Sequence, residues 1–188
     1  MYYTVQTRHL EDGLLSGSSF TIGVTGHRCL PTEGIAFMSM EIQAYYKEEV
    51  ESHGARGITL LSSLAEGADT MCAKLALDAG FRLIAPLPLT ALEYRNEFSK
   101  SAAVEFDCLL SLADNAFVVS PEEEVPVNPQ LGFFYRQAGI YVAKHCDALL
   151  AVWDGVERDA PDGAGTWETI KLARLFGKPI RVVAPFCQ

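Results

Sequence analysis

From residue 20 onward, short apolar runs alternate with longer stretches whose apolar residues recur at helical spacing. The short runs at 20–25, 57–61, 81–85, 115–119, 148–153 and 179–184 read as strands. Pro86 and Pro88 are expected to end the third. In 35–52, Ile35, Met38, Ile42, Tyr45, Tyr46 and Val50 mark one helical stripe. The spacing predicts further helices over 68–79, 90–112 (in one or two pieces), 131–145 and 166–176. Gly80 stops the first of these and Gly177 with Pro179 the last.

Strict alternation of strand and helix implies a parallel sheet with helices on both faces. The strands are continuous Val, Ile, Leu and Ala runs, as both-face burial requires. The fold class is therefore α/β. We expect one doubly wound domain over 20–188, with a mainly parallel sheet of about six strands. Residues 1–19 are polar and read as an N-terminal arm. In such sheets ligands sit beyond the carboxyl ends of the strands, so the loops that follow the strands are where chemistry is sought.

The chain has 188 residues, 49% of them hydrophobic and 21% charged, enough for one core without a metal or disulfides. Its formal net charge of −9 argues against an extended nucleic-acid track or a polybasic membrane contact. A small anionic ligand is not excluded, because a few backbone amides and one Arg suffice to hold it. The five cysteines are scattered and form no CxxC pair, so reduced thiols in a cytoplasmic protein are expected. Neither a metal nor a cofactor is expected. The N-terminus lacks a basic stretch followed by an apolar run, and no apolar run is as long as a membrane span.

Three strand-end loops are candidates for binding. The first is Gly23-Val24-Thr25-Gly26-His27-Arg28. Gly26 permits close backbone approach, Thr25 offers a hydroxyl, Arg28 can fork an anion, and His27 can donate or exchange a proton. It is neither a GxxxxGK[ST] loop nor a GxGxxG. The second is Ser62-Ser63-Leu64-Ala65-Glu66-Gly67-Ala68-Asp69, with two hydroxyls and a Gly at a helix start. Glu66 and Asp69 would repel a phosphate there but accept from ribose hydroxyls; they also suit a helix start in their own right. The third runs from Trp153-Asp154-Gly155 to Asp162-Gly163-Ala164-Gly165-Thr166. There a strand ends, glycines follow and a helix opens, which is a phosphate cradle in outline. Thr166 could cap that helix, bind a phosphate oxygen, or both.

Weaker candidates are Tyr94 and Arg95, and Tyr135 with Arg136, the latter a possible phosphate partner. Glu122-Glu123-Glu124 between prolines reads as a solvated loop.

Together these loops resemble the SLOG superfamily, which joins the SMF/DprA DNA-processing proteins to the LOG phosphoribohydrolases. The stretch from Ser62 to Asp69, then Ala76-Leu77-Asp78-Ala79-Gly80 and Ile84-Ala85-Pro86-Leu87, resembles the SGxAxGxD…AL…G…IAVL run of the DprA side. Gly163-Ala164-Gly165-Thr166 resembles the GGxGT phosphate loop of the LOG side. The resemblance implies a Rossmann-like fold, a nucleotide or nucleotide-derived ligand, and homo-oligomers. Nucleic acid and membranes are not expected partners.

LOG enzymes carry PGGxGTxxE, whose Glu assists cleavage of an N-glycosidic bond in a nucleoside monophosphate. Here Thr169 stands at that Glu's place and Glu168 one residue early, a rotation of about 100° on a helix. Asp162 replaces the first Gly. If the chain is a phosphoribohydrolase, Glu168 or Glu66 is its catalytic carboxylate, with Arg28 or Arg136 on the phosphate. Otherwise it is a binding or sensing domain, or a DprA-like module for DNA or protein.

Overall fold

The computed structural model describes residues 19–160 and 163–185. In chain order the elements are β1 (Phe20–Gly26), α1 (Ile35–His53), β2 (Ile58–Leu61), α2 (Ala68–Asp78), β3 (Arg82–Leu87), α3 (Ala91–Arg95), α4 (Lys100–Leu112), β4 (Asn115–Val118), α5 (Leu131–His145), β5 (Ala148–Val152), α6 (Thr166–Leu175) and β6 (Ile180–Val183). The expected arm lies, Ser19 apart, outside the described residues, as does Asp162.

All six strands are parallel, in the order β4-β3-β2-β1-β5-β6. The chain winds outward from β1 to β4, then returns through α5 to lay β5 against the other side of β1. The reversal opens a crevice between the carboxyl ends of β1 and β5. Both faces are covered, because successive strand residues point to opposite sides. Leu150 and Val152 pack with α1 and α2 residues such as Ile42 and Cys72. Leu149 and Ala151 pack instead with Val142 of α5 and Ile170 of α6. This is the Rossmann-like architecture.

Two local expectations change. β3 continues through Pro86 to Leu87, pairing Pro86 with Phe117 of β4. The Leu83 and Leu87 carbonyls point to the β4 side, accepting from the amides of Asp114 and Val119. Residues 84 and 86 therefore face β2, which has ended at Leu61, so the N–H that proline lacks has no partner to lose. The stretch 90–112 is two helices. Thr90 opens α3 with a reciprocal capping box to Glu93, and Ser99 caps α4 through the Ala102 amide.

Cys29, Cys72, Cys108 and Cys146 are free thiols. Among the described residues, no helix is long and apolar enough to cross a membrane.

Candidate functional site

A cavity of about 400 Å³ lies at the crevice between β1 and β5. Among the described residues its walls are Val24 to Gly26 at the end of β1, His27 and Arg28 after it, Ser63 and Ala65 after β2, Asp69 of α2, and Pro88 after β3. Tyr94, the α5 residues Tyr135, Ala138, Gly139 and Val142, and Ala164, Gly165, Thr166 and Thr169 at α6 complete them. The volume is within the range of small-molecule sites.

The β1 and β2 loops are built on each other. A Cβ on Gly26 would collide with the Ala68 side chain and come within 2.9 Å of the Val152 carbonyl oxygen. A Cβ on Gly67 would run into the carbonyls of Arg28 and His27, and the Ala68 amide donates to the His27 carbonyl at 3.1 Å. The two glycines therefore let the start of α2 dock against the β1 loop. The chain reaches that start through Leu64, a buried residue in the left-handed region (φ 56°). The Ser62 hydroxyl holds the turn, accepting from the Leu64 amide at 3.2 Å.

Asp69, in the first turn of α2, is 6% exposed and reaches the cavity wall. Its carboxylate accepts from the Ala65 amide at 3.4 Å. Burial pushes this carboxyl up to about 7, against the opposing pull of the Ala65 amide and of Arg28. The Arg28 guanidinium lies 5.0 Å from the centre of the Tyr135 ring, which is 5.9 Å from that of Tyr94. The Tyr135 hydroxyl is buried and makes no well-formed hydrogen bond among the described residues. This end of the cavity is aromatic and carries one cation and one buried acid.

The opposite end is the start of α6. Gly165 is the residue before the helix, at φ 121°, and among the described residues nothing stands within 4 Å of where its Cβ would be. Among the described residues no hydrogen bond occupies the amides of Gly165, Thr166 or Trp167. Those N–H groups and the helix dipole favour an anion at the cavity wall. Thr166 is the first helical residue and does not cap the helix.

His27 sits where the β1 and β5 loops meet. Its Nε2 is 3.3 Å from the Asp154 amide nitrogen and 3.2 Å from the Asp154 carboxylate. Neutral imidazole accepts from that amide; imidazolium donates to the carboxylate. Asp154 is partly desolvated, which pushes its carboxyl up, yet the carboxyl is held at about 2 by Arg158, the Val156 amide and His27.

Of the residues singled out in the sequence, the fold brings Thr25, Gly26, His27, Arg28, Ser63, Asp69, Gly165 and Thr166 to this cavity. Others it turns away. Gly23 lies under α5, where a Cβ would meet Val142 at 2.8 Å. Ser62 is fully buried inside its own loop. Glu66 accepts from the Ser99 hydroxyl at 2.9 Å, which ties it to the start of α4. Glu168 accepts from the Lys171 ammonium at 2.8 Å and is not on the cavity wall. Thr169 is on the wall instead, its hydroxyl donating to the Gly165 carbonyl at 3.1 Å.

Arg136 donates to Glu123 at 2.5 Å and packs against Gly163. The acidic run is therefore pinned along α5, with Glu122 on Lys144 and Glu123 also on Gln137. Gly155, at φ 81°, stands in an open turn. Tyr94 and Tyr135, weaker candidates in the sequence, and Thr169 are on the wall too, as are Ala138, Gly139 and Val142, which the sequence did not mark. They come from helices, and only packing decides which helical face meets a crevice. Among the described residues no group of three His, Cys, Asp or Glu could hold a metal ion.

No protein-family model matches the chain, and no curated protein matches it. Solved structures do. DNA processing protein A (DprA) of Streptococcus pneumoniae superposes with a TM-score of 0.57 at 19% identity, over 90% of this chain and 51% of that one. DNA processing protein A of Helicobacter pylori, described for its single-stranded DNA binding mode, gives 0.56 at 16% identity, over 91% and 68%. A molybdenum cofactor binding protein of the phototrophic bacterium Rippkaea orientalis gives 0.51 at 16%, over 87% and 76%. The chain thus spans about half the length of the Streptococcus protein. At these identities the likeness is one of fold, and it is the fold the SLOG resemblance implied. The expectation that nucleic acid is not a ligand gains no support from these neighbours.

Proposed function

We propose that the cavity between β1 and β5 binds a nucleotide or a nucleotide-derived phosphate ligand. The observation that carries the reading is the opening of α6 into the cavity wall, where among the described residues the amides of Gly165 to Trp167, beside the Thr166 hydroxyl, have no partner. A phosphate there gains several N–H donors and a helix dipole. The rest of the ligand extends toward Arg28, Tyr94, Tyr135 and Asp69. The aromatic rings suit a base or sugar face, and Asp69 suits donors such as ribose hydroxyls.

Binding fits this geometry better than turnover. Both carboxylates expected to serve glycosidic cleavage are held elsewhere, Glu168 by Lys171 and Glu66 by Ser99. Isothermal titration calorimetry against the common nucleoside 5′-monophosphates tests the reading. We expect at least one to bind with a Kd in the micromolar range and to lose at least tenfold in a Thr166→Val, Arg28→Ala double variant. Absence of binding across the panel overturns it.

A second reading places a backbone phosphate of single-stranded DNA on the same amides. The shared fold of a protein described by that binding mode favours it; the net charge of −9 weighs against it. Oligonucleotide binding that falls steeply with added salt would favour this reading over the first.

A further inference from the structure

The main cavity has a neighbour. A second space of about 190 Å³ is lined by His27, Trp153, Val156, Arg158, Thr166 and Trp167. His27 and Thr166 belong to both walls. A group held at Thr166 in the main cavity is therefore adjacent to this side space.

Like the main cavity, the side space carries an Arg beside an acid. The main cavity has Arg28 offset by Asp69. Among the described residues, the ionisable groups lining the side space are Arg158 and His27, and both contact Asp154. Among the described residues, the acids of the surrounding loop each engage a partner. Asp154 holds Arg158 at 2.7 Å and contacts His27. Glu157 lies 4.0 Å from Arg174. Asp159 accepts from Lys171 and from the Trp167 indole. The Trp153 indole N–H is likewise spent, on the Val156 carbonyl. The stacked Trp153 and Trp167 rings, 5.5 Å apart, form a stiff apolar floor. The Arg158 side chain is 61% exposed, so it can swing from Asp154 to a better acceptor. Since a water occupies about 30 Å³ in the liquid, the space admits a phosphoryl group with some hydration.

We infer that this side space is a subsite for a second phosphoryl group, held by Arg158 beyond His27 and Thr166, so that the site takes nucleoside diphosphates or other pyrophosphate-bearing nucleotides in preference to monophosphates. The inference rests on the proposed nucleotide reading of the main cavity. Arg158 supplies a planar fork for phosphate oxygens. Asp154 keeps that fork in place when the subsite is empty.

The experiment compares AMP with ADP and GMP with GDP by calorimetry, on the wild type and on Arg158→Ala and Arg158→Lys. We expect the diphosphate of the bound base to be at least tenfold tighter than its monophosphate. Arg158→Ala should remove that gain and leave the monophosphate Kd within about twofold, while Arg158→Lys should keep part of the gain. A monophosphate that binds as tightly as its diphosphate overturns the subsite and leaves the main-cavity reading standing. So does a gain that survives Arg158→Ala. Failure of all four nucleotides to bind overturns the main-cavity reading for both bases and the subsite with it.

Discussion

Gly139 and Thr169 are packed so closely that a Cβ on Gly139 would stand 2.8 Å from the Thr169 hydroxyl oxygen. This contact seats α6 on α5 and fixes which side of the first α6 turn meets the cavity. Thr169 faces inward, 7% exposed, and Glu168 faces Lys171. Gly139→Ala should cost about 1–3 kcal/mol of stability through overpacking. Removing the opposing hydroxyl and methyl in a Gly139→Ala, Thr169→Ala double variant should recover at least half of that cost. Urea unfolding of the two single variants and the double gives the coupling.

The outward turn of Glu168 has a chemical consequence. Glu168→Gln and Glu66→Gln should each leave nucleotide affinity within about twofold of the wild type. Incubated with AMP or GMP, the wild type should release no free base above the uncatalysed rate. Chromatography of the reaction mixture checks this. Base release abolished by Glu168→Gln would show that the helix reorients and that the site is catalytic.

Asp69 links stability to pH. Its carboxyl is raised by burial to about 7, so the ionised form is disfavoured in the folded chain. Its contribution is complete below the ordinary carboxylate pKa of about 4 and is lost as pH rises through 7. A shift of about three units bounds the loss at about 4 kcal/mol. Asp69→Asn should abolish this component, so the stability of the variant relative to the wild type should rise between pH 4.5 and pH 8.5. Denaturant midpoints at the two pH values test the sign, and a relative stability that stays flat or falls would refute it.

Two loop glycines should respond differently to the same change. Gly26→Ala drives a methyl into Ala68 and toward the Val152 carbonyl, both fixed in the core. Its cost should be about 3 kcal/mol or more, seen as a large fall in Tm. Gly165→Ala meets open space among the described residues and pays for its positive-φ backbone, about 1–3 kcal/mol. It should fold, and its nucleotide affinity should fall several-fold as the first α6 turn shifts.

The sequence by itself determined the alternation of six strands with helices, because buried parallel strands must be continuously apolar and their covering helices must repeat at 3.6 residues. It also marked the strand-end loops, since the turns there need glycine and small polar residues. It could not determine strand order. Nothing in the 115–119 run says that the chain then crosses back to β1, and that crossing creates the crevice. Nor could it separate glycines that serve packing, such as Gly23 beneath Val142, from one that frees backbone amides, such as Gly165. The roles of the acids were decided by contacts distant in sequence. Glu66 is taken by Ser99, 33 residues on. The α5–α6 contact at Gly139 presents Thr169 to the cavity and leaves Glu168 to Lys171. A helical pattern constrains which residues share a face, but only the neighbouring helix decides which face is buried, and so which side chain a ligand meets.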